Sequence, residues 1–191
     1  MKVNAITLRS GNVIEYNGKL CVVVKNEIMQ PGKGASVAQV ELRDVRTGNK
    51  DNARFRTQET VERVRLEQTD YQFLYRNGDE INLMNNKTYD QITVTAEQIG
   101  PQAAYLQENM IIEVETFENE PLGFKLPDRI IMEITEAEPV IKGQTATTSY
   151  KPAILENGEK VMVPPHVESG IKIVVKLEDG VGTYVERYKG D

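Results

Sequence analysis

The 191-residue chain contains no tryptophan, four phenylalanines, one cysteine and one histidine. A single cysteine excludes an internal disulfide and agrees with a reducing compartment. One histidine and one cysteine are too few for a soft-ligand metal cluster, so no metal site is predicted. No apolar run approaches the roughly 18 residues of a membrane span, and no charged-then-apolar leader begins the chain. We therefore expect a cytoplasmic protein that does not bind a membrane.

The residues that most often perform catalysis do not form a convincing group. His166 follows two prolines in what reads as a rigid loop, and Cys21 alternates with apolar residues, as a buried thiol does. Glu113 and Glu115 share one strand face, without the apolar cleft that raises the pKa of a catalytic acid. Residues 32–34 lack the spacing of a phosphate-binding loop and precede a strand. We expect neither an enzyme nor a cofactor.

Charge is distributed unevenly along the chain, although its formal net value is −6. Residues 1–64 contain 11 lysines and arginines and 7 acidic residues, a net charge of +4. Residues 65–128 carry −8, and residues 129–191 carry −2. Phosphates would attract the first third and repel the second. The acidic middle therefore either avoids nucleic acid or resembles it in charge.

The hydrophobic pattern has a period of two almost throughout, and turn signals recur about every 8–12 residues. This pattern predicts an all-β chain of small barrels. Three sets of strands indicate three domains, at residues 1–64, 65–128 and 129–191. Three such domains in file would span roughly 80 Å, so an elongated monomer is expected.

The first domain has the clearest strand signals. Asn17-Gly18 separates two apolar runs and is the strongest short signal for a β-hairpin. Ala38, Val40 and Leu42 alternate onto one face of another strand. Five strands are expected, the size of an SH3-like barrel, at residues 13–16, 19–28, 37–45, 51–56 and 61–64.

The second and third domains have the pattern of five-stranded barrels with a small intervening helix, as in oligonucleotide-binding (OB) folds. Thr95 and Gln98 have capping-box spacing, which predicts a short helix. Tyr71, Phe73 and Tyr75 alternate onto one face. That face is at least as well explained by a core as by a base-stacking surface.

A lysine between two glycines stands at the end of the first domain's longest hairpin. Pro31 fixes φ and stiffens the approach, and Gly32 and Gly34 remove side-chain bulk and permit positive φ. The segment therefore isolates the amine of Lys33, as a protein does when an amine must enter a narrow site on a partner. The alternative is a surface hairpin with an incidental lysine.

A second group of cations lies in the first domain, either as a solvated face or as phosphate contacts. It comprises Arg43, Arg46, Lys50, Arg54 and Arg56.

Over its whole length the chain resembles the bacterial elongation factor P family. The resemblance rests on the tip Pro31-Gly32-Lys33-Gly34 and on a specific C-terminal series. That series is Lys142-Gly143-Gln144-Thr145-Ala146, Lys151-Pro152-Ala153, Gly158 and Val161-Met162-Val163-Pro164.

The resemblance implies an L-shaped body of three barrels, a KOW-like SH3 domain followed by two OB-folds, that mimics transfer RNA. It implies binding to the 70S ribosome between the peptidyl and exit sites, beside the peptidyl tRNA, and rescue of stalling at consecutive prolines. Lys33 would be the tip lysine, extended in many members by a lysine-modifying enzyme, with Pro31, Gly32 and Gly34 shaping its loop. In the third domain the positions that approach the exit-site codon would be Gly143, Gln144 and Thr145, with Gln144 where the family commonly has Asp.

A competing interpretation is a general single-stranded RNA-binding module of tandem OB-folds, in which Lys33 is one contact among several. The acidic balance and the lack of a stacking aromatic series count against this module.

Overall fold

A computed structural model of the chain describes residues 1–140 and 149–190, in which sixteen β-strands form three sheets. Short helices connect some of the strands. The all-β prediction is therefore confirmed. The chain divides into two compact units, one of Met1–Gln68 with Glu115–Leu122 and one of Thr69–Val114 with Gly123–Asp191. The division into three domains at residues 64 and 128 stays a prediction.

The first sheet has six strands in the order β1-β6-β2-β3-β4-β5. Asn17 and Gly18 have φ values of 51° and 74°, as a type I′ hairpin turn requires. The strands are β1 (Lys2–Asn4), β2 (Val13–Tyr16), β3 (Lys19–Met29), β4 (Val37–Asp44), β5 (Lys50–Arg56) and β6 (Thr60–Val64).

Five strands were expected here, and the sixth is β1. It pairs antiparallel with β6 over three residues, from Lys2 opposite Glu62 to Asn4 opposite Thr60. Three residues are too few to show a period of two, so only the pairing across the chain makes this segment a strand. A 3-10 helix at Ala5–Thr7 follows it directly.

Strand β4 carries the core of the first unit. Ala38, Val40 and Leu42 are fully buried, as their alternation predicts. Truncating a buried leucine such as Leu42 to alanine costs about 2–5 kcal/mol in comparable cores. Cys21 lies in the same core cluster, and burial, followed by the nearby Asp44 carboxylate, raises the pKa of its thiol. The thiol is therefore a packing group.

The second sheet has the order β11-β10-β7-β8-β9. Thr95 and Gln98 form the predicted capping box at the start of α1 (Ala96–Ile99), and a 3-10 helix at Pro101–Tyr105 follows. Five strands were expected in this domain, but none was assigned to residues 91–95, where β9 lies. The strands are β7 (Glu67–Asn77), β8 (Glu80–Asn85), β9 (Gln91–Thr95), β10 (Ile111–Phe117) and β11 (Glu120–Lys125).

The three aromatic residues of β7 do not share one face. Tyr71 and Phe73 are buried, whereas Tyr75 is 56% exposed. A register shift against β8 lies between Phe73 and Tyr75 and reverses the direction of the third ring. Two of the three rings are therefore core residues, and the expectation of a shared face was wrong for Tyr75.

The third sheet, in the second unit, has the order β14-β13-β12-β15-β16. Tyr105 connects to it, because its buried hydroxyl accepts a hydrogen bond from the Gly182 N–H at 3.1 Å. A Cβ at Gly182 would lie 2.8 Å from the Tyr105 ring, so this contact requires glycine. The strands are β12 (Arg129–Ala137), β13 (Lys151–Leu155), β14 (Lys160–Val163), β15 (Lys172–Glu178) and β16 (Val181–Arg187).

Two features are absent from the described residues. No helix within them combines the length and apolar character needed to cross a membrane. No group of three or more histidine, cysteine, aspartate or glutamate side chains in this part of the chain is placed to hold a metal ion.

Candidate functional site

The Lys33 loop (residues 30–36) connects the two strands of a long antiparallel arm. From Lys25 opposite Glu41 to Met29 opposite Val37, β3 and β4 pair in continuous register. A register shift between Val23 and Lys25 separates this arm from the lower part of the barrel. The arm therefore places the loop at the end of two paired strands.

A tight turn forms the tip of the loop. The Gly34 N–H donates to the Pro31 carbonyl at 2.7 Å, which closes a four-residue turn around Gly32 and Lys33. Gly32 has a φ of +28°, a value that side chains rarely adopt. A Cβ at Gly34 would lie 3.4 Å from the Pro31 carbonyl oxygen, so both glycines suit the turn.

Lys33 is exposed at this tip, together with every residue from Gln30 to Ala35. It is the single charged residue between positions 28 and 37. Across residues 1–140 and 149–190, its amine forms neither an ion pair nor a side-chain hydrogen bond. Lys25, farther down β3, pairs instead with Glu27, which raises the pKa of the Lys25 amine. The Lys33 amine is thus available to a partner.

Residues near the N-terminus fix the base of the arm. The Asn26 amide nitrogen donates to the carbonyls of Ala5 and Leu8, each at 3.0 Å. At the opposite end of the arm, the carbonyl of Ser36, the last loop residue, accepts from the Thr57 N–H at 3.3 Å. Sequence reasoning did not single out Asn26. The available signal was a polar residue in the core-facing row of a strand. That row can be identified only when the sheet register is known.

All five side chains of the cationic flank are exposed, and one of them, Arg46, is hydrogen-bonded to a carboxylate. The other four lie on β4 and β5 and are Arg43, Lys50, Arg54 and Arg56. The Lys50 Nζ lies 4.0 Å from the Glu41 Oε1, beyond hydrogen-bond distance. Arg46 donates two hydrogen bonds to the Glu120 carboxylate, at 2.8 and 3.2 Å, within the first unit. This pair raises the pKa of Arg46 and lowers that of Glu120, so Arg46 has an internal partner.

Gly143, Gln144 and Thr145, the predicted contacts of the third domain, lie outside the described residues.

The three antiparallel sheets, the first with an exposed lysine turn and a cationic flank, define the class as an all-β protein with barrel-like sheets. In agreement, the eukaryotic translation initiation factor 5A structure from Methanococcus jannaschii matches with a TM-score of 0.51 and 24% sequence identity. The match covers 66% of this chain and 94% of that one, and it supports the fold.

Family models cover nearly the whole chain. The Elongation factor P (EF-P) KOW-like domain matches residues 4–61, the EF-P OB domain residues 66–124, and the Elongation factor P C-terminal domain residues 130–187. The chain belongs to the elongation factor P family.

Curated relatives agree with the family models. The elongation factor P of Rhodospirillum centenum is 50% identical over 189 residues, 99% of this chain and 100% of that protein. That of Parvibaculum lavamentivorans is 52% identical over 187 residues, 98% of this chain and 99% of that protein. The predicted family is therefore confirmed, and the chain is a translation elongation factor rather than an enzyme.

Proposed function

We propose that this protein binds the ribosome beside the peptidyl tRNA, between the peptidyl and exit sites, and promotes peptide bond formation at consecutive prolines. Lys33 reaches the 3′ end of the peptidyl tRNA and restricts its motion, while ribosomal RNA carries out the chemistry. The observation that carries the proposal is the isolated amine of Lys33, exposed on a tight turn at the end of the arm.

Charge supports this arrangement. The first 64 residues carry +4, which favours contact with the phosphates of a tRNA acceptor arm. The next 64 residues carry −8, which suits a body that occupies space between RNA molecules and imitates one of them.

The physical effect required is positioning. Proline is a constrained nucleophile, and its fixed φ restricts the nascent chain, so the reactants align poorly. Holding reactants in productive geometry can lower a barrier by up to about 7–11 kcal/mol in ideal cases. A single cation that orders the tRNA end can therefore accelerate a slow step without acting as an acid, a base or a nucleophile.

Replacing Lys33 tests the proposal directly. Lys33→Ala should abolish the acceleration of diprolyl and triprolyl synthesis on purified ribosomes and leave the melting temperature unchanged, because the exposed side chain makes no ion pair or side-chain hydrogen bond within the described residues. The measurement is the rate of peptide formation on a polyproline message, with a proline-free message as the reference.

Lys25→Ala is the matched control, since it removes a lysine from the same arm but away from the tip. It should retain rescue. Normal rescue by Lys33→Ala would refute the proposed mechanism.

Lys33 is also the proposed substrate of a lysine-modifying enzyme, because its amine is accessible on a turn without neighbouring charges. Intact-mass measurement of protein purified from its native host should show an added group, which peptide mapping should place on Lys33. An unmodified mass would exclude this part of the proposal.

The remaining proposals follow from family membership. Gly143, Gln144 and Thr145 approach the exit-site codon, and the protein acts as a cytoplasmic monomer. A general single-stranded RNA-binding module would instead bind short oligonucleotides tightly and with strong salt dependence. Two of the three aromatic side chains of β7 are buried and unable to stack on bases, so we favour the ribosomal factor.

A further inference from the structure

Asn26 occupies a core-facing position of β3, where the strand pattern calls for an apolar side chain. In the sheet register it lies opposite Val40, which lies opposite Ala53, and both partners are buried. Asparagine is a poor strand former. Neither strand formation nor apolar burial therefore accounts for this residue.

The side chain of Asn26 connects the arm to the segment that contains the first 3-10 helix. Its amide nitrogen uses both donors, one on the Ala5 carbonyl and one on the Leu8 carbonyl, each at 3.0 Å. Its Oδ1 atom is buried and has no hydrogen-bond partner among the described residues. An unpaired buried acceptor is destabilising, so any favourable contribution of Asn26 comes from its two bonds to the backbone carbonyls.

The last residue of the Lys33 loop, Ser36, is linked to the same N-terminal segment by a chain of backbone bonds. The Ser36 carbonyl accepts from the Thr57 N–H at 3.3 Å, and the Thr57 carbonyl accepts from the Ile6 N–H at 3.2 Å. Residues 5–8 are therefore bonded to β3 through the Asn26 side chain and linked through Thr57 to the loop end of the arm, and these bonds together form a bracket.

We propose that Asn26 is a positioning residue for Lys33: its amide clamps β3 to residues 5–8 and so fixes the direction in which the arm presents the loop. The inference rests on the proposed function of Lys33. The last paired residue, Met29, lies three positions beyond Asn26, a lever of about 10 Å. A tilt of about 5° at the clamp would move the end of the strand by about 1 Å, and misplacements of that size can slow a reaction a hundredfold.

Asn26→Leu tests the positioning role. Leucine suits the core-facing row and removes the unpaired acceptor, but the Ala5 and Leu8 carbonyls lose the Asn26 donors, so the melting temperature should fall and rescue is measured well below it. Amide exchange at Ile6, Thr57 and Gly34 should accelerate about tenfold, because the bracket opens locally. The rate of polyproline synthesis at saturating factor should fall about tenfold, while the factor concentration giving half the maximal rate changes less than about threefold.

Val23→Ala is the matched control. Val23 is fully buried in the same strand and makes no clamp, so this variant should lower the melting temperature yet keep full rescue well below it. Asn26→Thr is a second variant for the case in which Asn26→Leu does not fold. Its β-branched side chain suits a strand, but its single hydroxyl donor cannot serve both carbonyls.

The two proposals fail differently. If the folded Asn26 variant keeps both wild-type exchange at Ile6 and Thr57 and wild-type rescue, the inference about Asn26 is overturned. If Lys33→Ala keeps rescue in the same assay, the proposed function fails. Amide exchange then still decides whether Asn26 fixes the arm, since that readout needs no ribosome.

Discussion

The two loops at the ends of strand β4 differ in how many bonds hold them. At the N-terminal end of β4, the Lys33 loop has one internal backbone bond, from the Gly34 N–H to the Pro31 carbonyl, and one bond to the rest of the unit, from the Thr57 N–H to the Ser36 carbonyl. At the other end, residues 45–49 are closed by the Asp44 side chain. Its Oδ1 accepts from the N–H groups of Arg46 and Thr47, at 2.8 and 3.2 Å.

Further bonds stabilise that second loop. The Gly48 N–H donates to the Asp44 carbonyl at 2.9 Å, and the Arg46 guanidinium binds Glu120. Both loops adjoin β4 and therefore share the same strand and the same core face. The difference between them lies in their local polar bonds. The first unit keeps one end of β4 closed by its own groups and leaves the other end free for a partner.

A pair of glycine substitutions should separate these two roles and give the largest effect. Gly32 and Gly48 both have positive φ, +28° and +77°, and a Cβ at either would meet no atom within 4 Å. Gly32→Ala and Gly48→Ala should therefore cost similar stability, about 1–2 kcal/mol. Gly32→Ala alone should reduce polyproline rescue, by about ten- to a hundredfold. Thermal melting and the peptide-formation assay measure the two effects.

Equal loss of rescue in the two glycine variants would mean that the open loop has no special role. It would also remove the distinction drawn between the two ends of β4.

Protonation should weaken the closed loop. Backbone N–H donors from Arg46 and Thr47 lower the pKa of Asp44, so its contribution to stability is fully present above the unfolded pKa, about 4. That contribution is lost as the pH falls through the lower, folded pKa. Asp44→Asn should therefore melt below the wild type at pH 7, and the gap should close below about pH 4.

Melting curves across this pH range test the Asp44 prediction. A gap that stays constant with pH would show that the charge of Asp44 does not strengthen these bonds. Gly48 lies in the same loop, but Gly48→Ala keeps the carboxylate, so it should retain the wild-type pH dependence.

The smallest effect is expected for the ion pair on the closed loop. Arg46 and Glu120 are 58% and 46% exposed, and solvent screens such pairs strongly. Arg46→Lys removes the bidentate hydrogen bonding to Glu120 and should lower the melting temperature only slightly. The difference should vanish near 1 M salt, where the screening length is about 3 Å. A double-mutant cycle with Glu120→Gln isolates the coupling, and a coupling independent of salt would contradict this account.

Local signals predicted much of the fold. The Asn17-Gly18 hairpin, the buried face of β4 and the capping box of Thr95 and Gln98 each depend on neighbours within a few residues. Strand β1 was missed because three residues become a strand only through pairing. Strand β9 was missed although Ile92, Thr93 and Val94 are residues that favour strands. The direction of Tyr75 was mispredicted because a register shift is not visible in one strand.

The candidate site likewise has one part that the sequence predicted and one part that it did not. The turn of Pro31, Gly32 and Gly34 around Lys33 was predicted from backbone preferences alone. The clamp of Asn26 was not predicted, because its partners, Ala5 and Leu8, lie 21 and 18 residues away in sequence.

The order of residues by itself determined the alternation that builds the strands, the uneven charge, the family and the exposed turn with one amine. These properties depend on side-chain chemistry and on backbone preferences over a few residues. Only the tertiary structure decided which side chains hold that turn in place and which cation of the flank is engaged internally. Such contacts join segments far apart in the chain, and they exist only once the sheet register has brought those segments together.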